Sequence, residues 1–302
     1  MRSKALSWAL AGAGTLALCD QGSAQAQTGG LKVYISADME GIGGAVTRQQ
    51  TGRGNPEYET FRELMTAEVN AAVEAAKEAG ATEIVVSDSH GSGQNLLVEK
   101  LHPDARLVRA FPRALDMMHG IDDSFAVAIF IGYHAAEWQP GILAHTMDGN
   151  LTSIKLNGVT VGEPGFSAAI AGHFGVPVAL IAGDQVAIAE LKALVPGVEG
   201  AEVKHAYGRT SALSLHPSRA QQLIKERTSA ALARLSSLQP YRIKTPITME
   251  LAFKNQSTAE VAGMIPTVER TAPNAVRVVV PDMVAAAKFV GVLMHLRIAP
   301  EE

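Results

Sequence analysis

Short runs of β-branched and aliphatic residues recur along the chain, each bounded by glycine, proline or a polar cluster and spaced by stretches of helical period. The first, Val33-Tyr34-Ile35-Ser36-Ala37, predicts a strand that ends at Asp38-Met39-Glu40-Gly41. Asn55-Pro56 predicts a helix start, with a capping Asn and a proline in the first turn. Apolar positions at Phe61, Leu64, Met65, Val69 and Val73 carry that helix to Gly80. A buried strand is expected over 83–87, ending in Asp88-Ser89-His90-Gly91, and a shorter one at Leu107-Val108. Residues 125–132 are strongly apolar and lead into Tyr133-His134. Asn157-Gly158, at the centre of 154–161, is a two-residue hairpin signal. A small-residue helix over 167–173, a strand over 176–182 and a helix over 185–194 follow.

Buried strand alternating with helix from 31 to 195 predicts an α/β core, with a mostly parallel sheet covered by helices on both faces. Beyond it the pattern loosens. Pro217 opens an amphipathic helix through Leu223, Ile224, Ala231 and Leu235. A strand over 247–253, a capping box from Ser257 to Glu260, a strand over 276–280 and a helix over 281–298 complete the chain. Residues 196–302 are expected to form a smaller C-terminal α+β lobe or to continue the core, and the pattern leaves both open.

The first 26 residues have the form of a signal peptide. Arg2 and Lys4 precede an apolar run from Ala5 to Leu18, and Ala24-Gln25-Ala26 fits the small-x-small cleavage rule. The run is too short for a membrane span. Leu18 stands before Cys19 where a lipoprotein leader carries a small residue, so cleavage after Ala26 is favoured over lipidation. The expected location is periplasmic or secreted, with no stable membrane insertion after cleavage. Cys19, the single cysteine, leaves with the leader, so neither thiol ligands nor disulfides are expected in the mature chain. The net charge of −4, without a basic stripe, argues against nucleic acid as a partner.

Candidate chemistry gathers where strands end. Asp38 and Glu40, two apart in extended chain, project to the same side, and two carboxylates held that close call for a cation. His90 and His134 each follow another predicted strand, and the carboxyl ends of parallel strands share one rim. Glu163 follows the hairpin, and His145 lies in the loop Gly141-Ile142-Leu143-Ala144-His145-Thr146-Met147. Two imidazoles and three carboxylates suit zinc or a similar ion, and five ligands fit a pair of ions sharing one carboxylate better than a lone ion. Each residue also has a plainer reading. Histidines after strands can bond turn backbone, and Glu163 can serve a helix dipole. Asp88 and Asp184 are expected mainly as helix N-caps, with Asp88 alternatively orienting His90. His102, His119, His173, His205, His216 and His295 carry no comparable context.

At these residues the chain resembles a known family. Ser36-Ala37-Asp38-Met39-Glu40-Gly41, Ser87-Asp88-Ser89-His90, Gly132-Tyr133-His134-Ala135, Ala144-His145-Thr146-Met147 and the stretch 158–165 look like the ordered motifs of the D-aminopeptidase family of zinc metallopeptidases, the dipeptide-transport-associated type. The run 95–103 and the stretch 175–184 are similar to it as well. The resemblance implies metal ligation by Asp38, Glu40, His90, His134 and Glu163, with Asp38 as bridge, two zinc ions per chain and His145 as the catalytic histidine. It also implies a ring-shaped homo-oligomer, a decamer of stacked pentamers. The secretory leader departs from the family pattern, as does Pro164, where a larger aliphatic residue is expected.

The function so implied is hydrolysis of N-terminal, D-configured amino acids from short peptides or amides by metal-activated water. His145 would act as proton donor, oxyanion stabiliser or nucleophile. Two alternatives use the same observations: a two-metal phosphoesterase, with the same ligand types, and a periplasmic solute-binding protein, which predicts two similar lobes.

Overall fold

The computed structural model describes residues 30–295. The expected leader and the last residues of the final predicted helix lie outside them. In chain order the elements are β1 (Leu31–Ala37), α1 (Arg48–Thr51), α2 (Tyr58–Glu78), β2 (Ala81–Asp88), β3 (Ala105–Val108), a 3₁₀ turn (Asp116–Met118), β4 (Val127–Ile131), β5 (Leu151–Leu156), β6 (Val159–Val161), α3 (Glu163–His173) and β7 (Val178–Asp184). Then come α4 (Gln185–Leu194), β8 (Glu199–Gly208), β9 (Ser211–Ser214), α5 (Pro217–Ala233), a 3₁₀ turn (Leu235–Ser237), β10 (Ile247–Phe253), α6 (Gln256–Ala262), β11 (Val268–Ala272), β12 (Ala275–Val280) and α7 (Met283–His295).

A seven-stranded sheet runs β3-β2-β1-β4-β7-β8-β9 and is parallel except for β9, which pairs antiparallel with β8. Its strands are short and apolar because both faces are covered. Val33, Ile35, Ile129 and Leu180 point to one buried cluster with α2 and α5, whereas Tyr34, Phe130 and Ile181 point to a second, with α3, α4, α7 and the other sheet. Each such aliphatic burial contributes roughly 1.5–3 kcal/mol. The strand order reverses direction between β1 and β4, and the crevice outside such a switch point is where ligands bind in open α/β sheets.

The second sheet is antiparallel, β11-β12-β10-β5-β6. Asn157 (φ 50°) and Gly158 (φ 83°) both take the left-handed conformation that a tight hairpin of this kind requires. The hairpin they close pairs with β10 rather than with the parallel sheet, in register Leu251 opposite Ile154. Conversely, β8 extends the parallel sheet beside β7. A boundary at residue 195 therefore does not separate the sheets: each draws strands from both sides of it. The two sheets also differ in type, so the two similar lobes expected of a solute-binding protein are not found among the described residues.

Several local expectations are corrected. Asn55 does not cap α2; its amide donates to the Arg48 carbonyl at 2.6 Å, closing the short α1 whose own cap is Thr47. The cap of α6 is Asn255, which accepts from the Ser257 N–H, so the predicted box from Ser257 to Glu260 begins inside the helix. Asp184 does cap α4. Asp88 caps nothing: its carboxylate accepts from the backbone N–H groups of Asn95 and Leu96 and from the Asn95 amide. That amide also donates to the His90 carbonyl at 2.6 Å, so Asp88 fixes the whole loop that carries His90. No helix among the described residues is long and apolar enough to cross a membrane.

Candidate metal centre

All six residues singled out in the sequence meet in one cavity of about 590 Å³ or in its wall, at the carboxyl ends of β1, β2 and β4. The loops after β1 and β4 interlock to make this possible. Asp38 N–H donates to Ile131 O at 2.8 Å and Gly41 N–H to Gly132 O at 2.6 Å. The backbones approach so closely that a Cβ on Gly41 would lie 2.0 Å from Tyr133 O, and one on Gly132 (φ 70°) would lie 2.1 Å from Asp38 O. Only glycine fits either position.

Polar atoms converge from four loops. His90 Nδ1 lies 3.1 Å from Asp38 Oδ1 and 2.8 Å from Glu40 Oε2. His134 Nε2 lies 3.4 Å from Asp38 Oδ2 and 3.2 Å from Glu163 Oε2. The Asp38 carboxylate thus turns one oxygen to each histidine. Glu163 reaches the centre as the first residue of α3, so its predicted position at a helix start and its place beside the histidines are both observed. His145 Nε2 lies 3.8 Å from Glu163 Oε1, and its ring stacks on His134 with centroids 4.1 Å apart.

Each imidazole is held by its other nitrogen: His90 Nε2 faces Thr51 O at 2.8 Å, His134 Nδ1 faces Ala135 O at 2.9 Å and His145 Nδ1 faces Leu143 O at 2.9 Å. An N–H donated to a carbonyl leaves the opposite ring nitrogen with its lone pair toward the cavity, as a metal ligand requires. Of three converging buried atoms, Asp38 Oδ2 and His134 Nε2 make no well-formed hydrogen bond, and Glu40 Oε2 has only His90 Nδ1 beside it. Buried polar atoms are rarely left so, and a divalent cation would satisfy all three.

The charges are correspondingly displaced. Burial, reinforced by Glu40, pushes the Asp38 carboxyl up to about 7. Burial pulls His134 down, yet Glu163, Asp38 and Glu40 around it prevail and raise it to about 10. For Glu40, burial is outweighed by His90, which holds its carboxyl well below the usual range. His145 goes the other way: burial and the adjacent His134 depress it, so its imidazole stays neutral.

Two residues without a sequence signal support these loops. Glu190, on α4, accepts from the N–H groups of Ala136 and Gly162, tying the His134 loop to the start of α3. Lys204, on β8, is buried and donates to the carbonyls of Glu40, Ile42 and Ala45. His295, which carries no sequence context for a site, lies at the cavity edge, as does Asp116. Asp116 lies well past the end of β3 and His295 at the end of α7, so neither stands directly after a strand of the parallel sheet as Asp38, His90 and His134 do.

Glu68 lies behind the same loop and accepts from Gly43 N–H at 2.8 Å, its other oxygen buried without a partner. Burial raises its carboxyl to about 7. A carboxyl whose folded pKa exceeds its unfolded one binds more protons when folded, so its contribution is complete below the unfolded pKa of 4.5 and is lost as pH rises through 7. Glu68→Gln is therefore expected to gain on the wild type by up to about 3 kcal/mol between roughly pH 5 and pH 8. Thermal unfolding of both proteins at the two pH values measures this, and a pH-independent difference would show that Glu68 titrates normally.

The doubly covered parallel sheet carries at its switch point acidic and imidazole side chains arranged as a metal site would be, the architecture of a metal-dependent enzyme. The chain belongs to the D-aminopeptidase family of peptidases, M55, whose model matches residues 31–292. It is 36% identical over 267 residues to a D-aminopeptidase of Bacillus subtilis (strain 168), an alignment spanning 88% of this chain and 97% of that protein. Among solved structures it superposes with a TM-score of 0.86, at 35% identity and the same coverage, on the Zn-dependent D-aminopeptidase DppA from Bacillus subtilis, described as a self-compartmentalizing protease.

Proposed function

We propose that the chain is a zinc-dependent aminopeptidase that removes N-terminal D-amino acids from short peptides or amides. In this reading Asp38, Glu40, His90, His134 and Glu163 hold two zinc ions, with Asp38 between them, and His145 is the catalytic histidine. The observation that carries it is the convergence of buried donor atoms: those of Asp38, Glu40 and His134 all lie within 4.8 Å of one another, as do those of His134, His145 and Glu163. Family membership favours a peptidase over the phosphoesterase that the same ligand types would also suit.

Zinc bound there supplies a Lewis acid for the scissile carbonyl and a water acidic enough to attack near neutral pH. The rest of the work falls to the chain. His145, neutral and anchored through Nδ1 to Leu143 O, presents a basic Nε2 to the cavity. With zinc bound, it would accept a proton from the attacking water and return it to the leaving amine, a role open to a neutral imidazole. Glu163 Oε1 also accepts from Met147 N–H at 2.6 Å, which holds the His145 loop and the ligand in register.

The leader pattern at 1–26 supports export to the periplasm, where D-alanyl peptides from cell-wall turnover would be a source of substrate. The match to a self-compartmentalizing protease supports a homo-oligomer enclosing the sites, for which the family resemblance implies a ring-shaped decamer. Tyr207 and Leu213, 69% and 63% exposed on the edge hairpin of the parallel sheet, offer apolar surface for it.

The test is a paired assay of the zinc-loaded protein on D-alanine and L-alanine amides and dipeptides. The D-forms are expected to be cleaved with a kcat/KM roughly 100-fold or more above the L-forms, since a handed pocket that pairs polar groups for one isomer strands them for the other. Equal rates would remove the stereochemical part and leave the aminopeptidase.

A further inference from the structure

We propose that Asp116 receives the free α-ammonium of the substrate, the contact that confines cleavage to the first peptide bond. The assignment rests on the metallopeptidase reading above.

Asp116 lines the same cavity as Asp38, Glu40, His145 and Glu163. It is 5% exposed, and its Oδ2 is buried without a hydrogen bond. The other carboxylates in this cavity that approach histidines, Asp38, Glu40 and Glu163, do so at 2.8 to 3.8 Å and are the proposed metal ligands. Asp116 is in neither group of side chains placed to share an ion, although the Glu163 charge reaches it, so it is the buried carboxylate left over once the metal ligands are assigned. Two cationic side chains, His295 and Arg113, lie near enough for their charge to reach Asp116, but among the described residues neither forms an ion pair with it, and the Nε of Arg113 is buried without a hydrogen bond. The Arg113 guanidinium donates to Ser87 Oγ at 3.1 Å and to Asp88 O at 2.9 Å, and it stacks on the Phe111 ring at 3.9 Å.

The backbone adds a second observation. Asp116 has φ 49°, left-handed geometry that costs a non-glycine residue on the order of 1 kcal/mol and persists only where the surroundings impose it. The surroundings are explicit. The next residue's carbonyl, Met117 O, accepts from Ser36 Oγ at 3.1 Å, Ser89 Oγ at 3.0 Å and Tyr34 OH at 3.4 Å. Ser36 lies two residues before Asp38 and Ser89 immediately before His90. The loops that bring the metal ligands together therefore also clamp the turn that carries Asp116.

An unpaired buried carboxylate is destabilising by itself, and a primary ammonium, with three donors and a positive charge, is its complement. A peptide anchored there by its amino end can lay only its first carbonyl beside the ligand cluster. Peptides with a blocked amine would forfeit the contact and leave the carboxylate desolvated and unpaired. Exopeptidase specificity then follows from the loss of this contact whenever the amine is blocked.

The test compares Asp116→Asn with the wild type as full-length, zinc-loaded proteins. Asn keeps the shape and tolerates left-handed backbone. Each protein is titrated calorimetrically with D-alanine hydroxamate and with propionohydroxamate, zinc chelators that differ only in the amine. Asp116→Asn is expected to bind the aminated ligand about 30-fold more weakly and the other within about 2-fold of the wild type, with bound zinc unchanged. Its metal-free thermal midpoint is expected at or above that of the wild type. If both ligands bind as before, or if both weaken together, the assignment is overturned and the metal centre stands. A lower midpoint, lost zinc or failure to fold would make Asp116 a structural residue, also against the assignment. If neither hydroxamate binds the wild type, the metallopeptidase reading falls and takes this one with it.

Discussion

His145→Ala is expected to keep its full complement of zinc while kcat falls on the order of 10³-fold, the usual scale for removing a general acid–base group. The separation of the two readouts follows from position. His145 Nε2 is 3.8 Å from Glu163, farther than the contacts of His134 with Asp38 and Glu163 at 3.4 and 3.2 Å, and the five side chains proposed as ligands do not depend on its ring for their anchoring bonds. Its stacked neighbour His134 is fixed independently through Nδ1 to Ala135 O. Metal analysis and steady-state kinetics on the same preparation decide the matter. Turnover within about tenfold of the wild type would remove His145 from the proton-transfer role, and loss of zinc would move it among the ligands.

His134→Ala is expected to do the opposite: to lose bound zinc and, with it, essentially all activity. His134 Nε2 sits between the Asp38 and Glu163 carboxylates, which otherwise face each other without a positive partner. Metal binding at such a cluster displaces the proton that His134 otherwise holds between the carboxylates, and bound metal stabilises the folded chain by mass action. Added zinc should therefore raise the unfolding temperature of the metal-free wild type by several degrees and that of His134→Ala far less. An equal rise in both would show that zinc binds elsewhere.

Much of this site is legible in the amino-acid sequence, because a parallel sheet converts one-dimensional information into convergence. A ligand directly after a buried strand must lie on the common rim, so Asp38, Glu40, His90 and His134 are marked by what precedes them. Helix α4 and strand β10 fall at their expected bounds for related reasons, a capping Asp184 in one case and strict alternation in the other. What the pattern hides depends on tertiary context. Asn55 looks like a cap but bonds backward to Arg48. Strand β11 is mostly exposed and polar, Val-Glu-Arg-Thr-Ala, and pairs only as an edge. Lys204 and Glu190 act on carbonyls and N–H groups far away in sequence, which no local pattern announces. Asp116 sits in Leu-Asp-Met-Met well past the end of β3, and the clamp on Met117 holds its turn at the cavity.

The interleaving of the two sheets has a consequence for how the polypeptide is made. Strands β1, β2, β4 and β7 can pair as soon as residue 184 has left the ribosome, but Ile154 must wait for Leu251, about a hundred residues later. At typical elongation rates of about 5–20 residues per second, the hairpin's apolar side, Leu151, Ile154 and Leu156, stays uncovered for several seconds of translation. A nascent chain halted before residue 247 would carry the assembled ligand rim beside an unfinished wall, and should be held by chaperones rather than released.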